Sequence, residues 1–159
     1  MTIMDYIDKG GIIVYILIAL NAIGFTIILW KFFTLPRKNA MIERIKSKTD
    51  LNSNSTIFSQ IEYEVKKLES GLTLIKNIAT IAPLLGLLGT VFGVYKSFEA
   101  ITKSGLGDPT VFSNGIAIAL ITTIAGLIVA IPHHIAYNHF ISMLDAIELK
   151  AKKEIVGSR

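Results

Sequence analysis

The chain alternates between apolar and charged stretches, and three stretches carry no Asp, Glu, Lys or Arg: Gly10 to Trp30 (21 residues), Asn77 to Tyr95 (19 residues) and Pro109 to Leu144 (36 residues). A helix crosses a bilayer core of about 30 Å with roughly 20 apolar residues. The first two stretches fit one crossing each. The third holds one crossing, Ser113 to Pro132, followed by a helical extension. A soluble helix of such length would show a charged face. The pattern therefore predicts an all-α, polytopic membrane protein with three transmembrane helices, the second and third extending into the cytoplasm as long helices.

Between the crossings the pattern changes period. Trp30, Lys31, Phe32 and Phe33 read as an aromatic and basic anchor at the membrane interface, and Pro36 bends the chain. A short polar helix is expected from about Arg37 to Lys48. Asn52 to Thr56 read as a loop, because these side chains compete for backbone hydrogen bonds. Next, Ile57, Ile61, Val65, Leu68, Leu72 and Ile75 recur in steps of three and four, one face of a helix. The stripe continues in phase as Ala79, Ala82, Gly86, Gly89 and Gly93, so a single helix is expected from about Thr56 to Thr102.

After a connection at Lys103 to Gly107, Asp108 caps the third crossing and Pro109 takes its first position. A second small-residue stripe follows: Gly115, Ala119, Thr122 and Thr123, Gly126 and Ala130. Small residues let helices approach closely within a membrane; the alternative is that they are merely tolerated in a lipid-facing helix. Pro83 and Pro132 sit inside these segments, and Pro132 is expected to kink the third near its end. Beyond it Phe140, Leu144, Ile147, Ala151 and Ile155 make the tail an amphipathic helix.

Only 18% of residues are charged, against about 25% in soluble chains. Their placement orients the chain: thirteen Lys and Arg fall in 31–76 and the tail, against Lys9, Lys96 and Lys103 on the other side. The basic side is expected to be cytoplasmic. The expected divisions are a periplasmic N-terminus at 1–9, crossings at 10–33, 78–101 and 111–134, a cytoplasmic helical segment at 34–77, a periplasmic loop at 102–110, and a cytoplasmic C-terminal helix at 135–159. Topology thus explains the pI of about 9.3, and no nucleic-acid partner is needed. Asp5 and Asp8 stand where a cleavable signal would carry basic residues. Without cysteine there is neither a disulfide framework nor a thiolate metal site.

Candidate chemistry is sparse. Thr90 and Thr123 fall near the middle of their crossings, with Thr122 beside the latter. Each hydroxyl can bond a carbonyl of its own helix; alternatively, hydroxyls at one level line an ion pathway. None of the three charge-free stretches holds an acid to take up and release a proton. Either nothing is transported, or a partner supplies the titratable group. His133, His134 and His139 cluster at one helix end, where an interfacial role, solvated or capping, is expected, with His133 and His134 as a candidate cytoplasmic proton exit. The spacing does not suit haem. There is no phosphate-binding glycine loop, no G-x-S-x-G and no H-E-x-x-H, so no enzyme, cofactor or metal is expected.

Residues 81–93, Ile-Ala-Pro-Leu-Leu-Gly-Leu-Leu-Gly-Thr-Val-Phe-Gly, together with Gly115 to Pro132, Tyr137 and Asn138, closely resemble the ExbB/TolQ/MotA proton-channel family over roughly Leu72 to Phe140. The three-helix, N-out layout resembles its ExbB and TolQ branch. The resemblance implies a bacterial inner-membrane motor unit: a homo-oligomeric ring, five subunits in known members, around an ExbD-like single-span partner carrying a membrane aspartate. It implies that proton-motive force is passed to a TonB-like protein to energise transport across the outer membrane. A TolQ-like role in envelope maintenance, or a passive oligomeric scaffold, are the alternatives. On matching positions it implies pore-facing hydroxyls at Thr90 and Thr123, and close packing at Pro83, Gly86, Gly89, Gly93 and Gly126. Ile118 stands where ExbB members commonly carry glutamate.

Overall fold

The computed structural model describes residues 3–35, 43, 54–105 and 109–156. Within them the chain forms four helices: α1 (Ile3–Thr34), α2 (Asn54–Leu68), α3 (Leu72–Ser104) and α4 (Pro109–Val156). No strand occurs among the described residues. The segments Tyr6–Thr34, Leu72–Lys103 and Phe112–Glu154 are long and apolar enough to cross a membrane. The expected all-α architecture with three apolar spans is therefore present.

The helices pack as two units. One comprises residues 1–25 and 76–134, the other residues 26–75 and 135–159.

In the first unit α1, α3 and α4 meet through Leu17, Ile78, Ala82, Val129 and Ala130, all buried. The rest of the α3–α4 seam is built of small residues. A Cβ on Gly126 would lie 2.6 Å from the Ala82 carbonyl oxygen, and one on Gly93 would lie 2.6 Å from that of Gly115. Nothing larger than hydrogen fits, so the backbones approach as closely as two helices can. The side chains facing outward are large and apolar, Leu84, Leu87, Val91, Ile124 and Ile128 among them. A surface of that kind is stable against lipid tails.

The second unit is built like a soluble core. Leu35, Ile61, Leu72, Ile75, Phe140, Leu144 and Ile147 are each at most 2% exposed. Each such side chain contributes about 1.5–3 kcal/mol by leaving water. On the outer surface, Lys152–Glu148 and Lys150–Glu154 pair one turn apart on α4, at 2.5 and 3.7 Å.

Four expectations are corrected. The single helix from Thr56 to Thr102 is interrupted at Glu69–Gly71, because Gly71 has φ +87°, a left-handed conformation that glycine adopts without strain. Leu68, Leu72 and Ile75 nevertheless stay in phase across the turn. Asn54 to Thr56 belong to α2, not to a loop; Asn52, Ser53 and the helix expected over Arg37–Lys48 lie outside the described residues, save Glu43, which is helical. Lys31 is turned inward, only 7% exposed, with its ammonium donating to the Leu68 carbonyl at 2.8 Å. That carbonyl ends α2, where partners are lacking and the helix dipole favours a cation. Trp30, Phe32 and Phe33, by contrast, are exposed as an interfacial anchor would be. Finally, α1 is broken at Gly11 (φ 63°, ψ −156°), which no feature of the sequence announced. Helix α4 starts at Pro109 and runs through Pro132 without interruption.

Candidate functional site

The α3–α4 seam of the first unit brings together hydroxyl groups of two apolar spans. Close contacts at Gly86, Gly93, Gly115 and Gly126 hold the α3 and α4 backbones together here, and short side chains reach across. The Thr90 and Thr123 hydroxyls lie 2.5 Å apart, either one able to donate. Thr90 also reaches the carbonyls of Gly86 at 3.3 Å and Ala119 at 3.2 Å. Its single proton thus has three acceptors in range. The two expected hydroxyls face each other, both half-buried, and form a small hydrogen-bonded cluster with a choice of proton positions.

Thr122 behaves differently. It is fully buried, its hydroxyl donating within α4 to Ala119 at 2.9 Å and Ile118 at 3.2 Å. Its side chain occupies the space that a Cβ on Gly89 would need. It is the packing partner of Gly89, held behind the Thr90–Thr123 pair.

The sequence reading missed Ser97. One helical step of four beyond Gly93 on the same stripe, it is 1% exposed and bonds the carbonyls of Gly93 (3.2 Å) and, across the seam, Phe112 (3.1 Å). The step itself was the available signal. The seam is thus tied by hydroxyls at Thr90–Thr123 and at Ser97.

His133 is corrected from an interfacial, solvated residue to a buried one. It is 0% exposed, with Nδ1 2.7 Å from the Val129 carbonyl and Phe25 packed edge-on at 5.4 Å between ring centroids. Its Nε2 is buried without a hydrogen-bond partner. The imidazole fits because Gly24 of α1 has no Cβ, which would overlap the ring. His134 and His139 are exposed, but they lie within α4 and not at its end. Among the described residues no group of His, Asp and Glu could hold a metal ion.

The profile of the MotA/TolQ/ExbB proton channel family matches residues 31–153. "Biopolymer transport protein ExbB" of Aquifex aeolicus is 36% identical over 65% of this chain and 62% of its own length. "Putative biopolymer transport protein ExbB homolog" of Methanothermobacter thermautotrophicus is 26% identical over 91% of this chain and 64% of its own length. "Tol-Pal system protein TolQ" of Haemophilus influenzae is 36% identical over 54% of this chain and 37% of its own length. The chain spans less than two thirds of the length of each of these relatives. The family match takes in the whole α3–α4 seam with its facing glycines and paired hydroxyls: the chain belongs to the MotA/TolQ/ExbB proton channel family, a family of multi-pass membrane proteins.

Proposed function

We propose that the chain is an ExbB-like subunit of an inner-membrane motor driven by proton-motive force, with the α3–α4 seam facing the ion pathway. The observation that carries this reading is the Thr90–Thr123 pair: two hydroxyls bonded to each other within charge-free stretches that hold no acid. Hydroxyls can pass or orient a proton, or the water that carries it, yet they cannot store one near neutral pH. The storing group then belongs to a partner, a single-span protein with a carboxylate in its apolar helix. Several subunits would surround that helix, N-termini periplasmic and C-termini cytoplasmic, consistent with the placement of the basic residues. Thr122 supports the pair from behind instead of lining the pathway. Pro83, Gly86, Gly89, Gly93, Gly115, Gly126 and Pro132 serve helix packing, and His134, exposed on α4, is the remaining candidate for a cytoplasmic exit. The load is outer-membrane transport through a TonB-like protein; the TolQ relative favours envelope maintenance as the second reading.

The test is Thr123→Val, which keeps the shape of the side chain and removes the hydroxyl. In cells that depend on this chain for uptake of an iron chelate driven by proton-motive force, uptake should fall about tenfold, the scale of one functional hydrogen bond. Unchanged uptake at normal protein level would favour a passive scaffold. Complementation of a strain lacking ExbB, against one lacking TolQ, separates the two loads.

A further inference from the structure

At one end of the first unit, two adjoining cavities differ in character. The larger, about 760 Å³, is lined by the polar side chains of Lys9, Lys96, Thr110, Ser113 and Asn114. The smaller, about 250 Å³, is an apolar slot floored by Ile12, Ile13, Phe92 and Ile118. Lys9, Lys96 and Ile118 line both, so the two lysines belong to the junction between the more polar chamber and the apolar slot.

The break at Gly11 creates this arrangement. Residues 9 to 13 all line the slot in succession. A regular helix turns about 100° per residue and would aim only some of five consecutive residues at one place; the non-helical Gly11 lays the segment along it.

Among the described residues neither cavity is lined by an acid. Asp8 accepts from the Tyr15 hydroxyl at 2.9 Å, and Glu99 pairs with Lys103 at 2.6 Å while also feeling the charge of Lys96. Two cations lining both cavities, beside hydroxyl and amide groups and next to a narrow apolar slot, match a molecule with an anionic head and a hydrocarbon tail.

We infer that this crevice is a binding site for an anionic phospholipid, with the phosphate in the chamber held by Lys9 and Lys96, assisted by Ser113 and Asn114, and one acyl chain in the slot against Phe92 and Ile118. The isoleucine at 118 acquires a role here: it lines both cavities with the two lysines, and an acid in its place would set a negative charge against the phosphate. The inference is independent of proton conduction and stands or falls separately from it.

The experiment uses the whole chain, purified in a mild detergent and exchanged against equal amounts of dioleoyl-phosphatidylglycerol and dioleoyl-phosphatidylcholine, with bound lipid read by native mass spectrometry. Phosphatidylglycerol should be retained at least about tenfold over phosphatidylcholine, the scale of two lysines near an anionic headgroup. Lys9→Gln with Lys96→Gln should bring the ratio to near one. Ile118→Trp, which leaves both lysines and fills the slot, should also abolish retention, and it covers the case in which the lysine variant fails to fold. Excess glycerol phosphate should not compete; full competition would show a free-phosphate site and overturn the acyl-chain assignment. Equal retention of both lipids by the unaltered chain, or a preference that survives the lysine substitutions, would overturn the proposal. So would capture of the crevice by a second copy, detected as a Lys9 or Lys96 cross-link with no lipid bound.

Discussion

At the scale of single residues, the first unit places polar groups where short side chains suffice. Thr90 and Thr123 bond each other because the glycines beside them remove the separation that ordinary side chains impose. His133 is the opposite case, a polar ring enclosed by Gly24, Phe25 and its own helix with one nitrogen unsatisfied. An unpaired buried acceptor costs about 1–3 kcal/mol. His133→Leu, of similar volume, should therefore leave the melting temperature in detergent unchanged or raise it, and a clear fall would show that Nε2 has a partner. Gly24→Val should lower melting sharply, since its side chain would occupy the space of the imidazole. Neither outcome follows from the sequence alone, where His133 reads as one of three histidines at a helix end. Only the packing of α1 against α4 distinguishes it from His134.

At the scale of elements, α2 and α3 are separated by one turn with a specific chemistry. Gly71 supplies the left-handed backbone, and Lys31 supplies a donor to the carbonyl that the turn exposes. Gly71→Val should destabilise the second unit by about 1–2 kcal/mol, the cost of a side chain at that φ. Lys31→Met keeps the buried stem and removes the ammonium, and should cost about 1–3 kcal/mol by leaving the Leu68 carbonyl unpaired. Because both act on one turn, the double variant should lose less than the sum of the two. Thermal unfolding of the four proteins in one detergent would check both expectations. In the first unit, Gly126→Leu should separate α3 from α4 and break the Thr90–Thr123 bond, reducing uptake together with melting temperature. Thr123→Val should reduce uptake while leaving melting nearly unchanged, and that contrast separates packing from proton handling.

At the scale of the molecule, the three charge-free stretches contain hydroxyls and glycine and no Asp or Glu, so one copy supplies no carboxylate there to store a proton. Proteoliposomes holding this chain alone should show no more proton leak than empty ones under an imposed potential, measured with an entrapped pH dye. A leak from the chain alone would place the titratable group within it and remove the need for a partner.

The division between what the sequence determined and what tertiary structure decided has a physical basis. Span number, the buried stripes of α2 and α3, the small-residue seam of α4 and the amphipathic tail were all legible, because each depends on periodicity within a helix, and burial follows period. The family was legible for the same reason: the seam of facing glycines is written as two local motifs. What the sequence did not carry was which residues meet between elements distant along the chain. Lys31 read as a surface anchor and lies buried under Leu68, 37 residues away; His133 read as solvated and lies against Gly24. The crevice of Lys9 and Lys96 joins residues 87 positions apart in the chain. Gly11 and Gly71 break their helices where neighbouring glycines do not, because φ at a glycine is set by surrounding contacts and not by the residue itself.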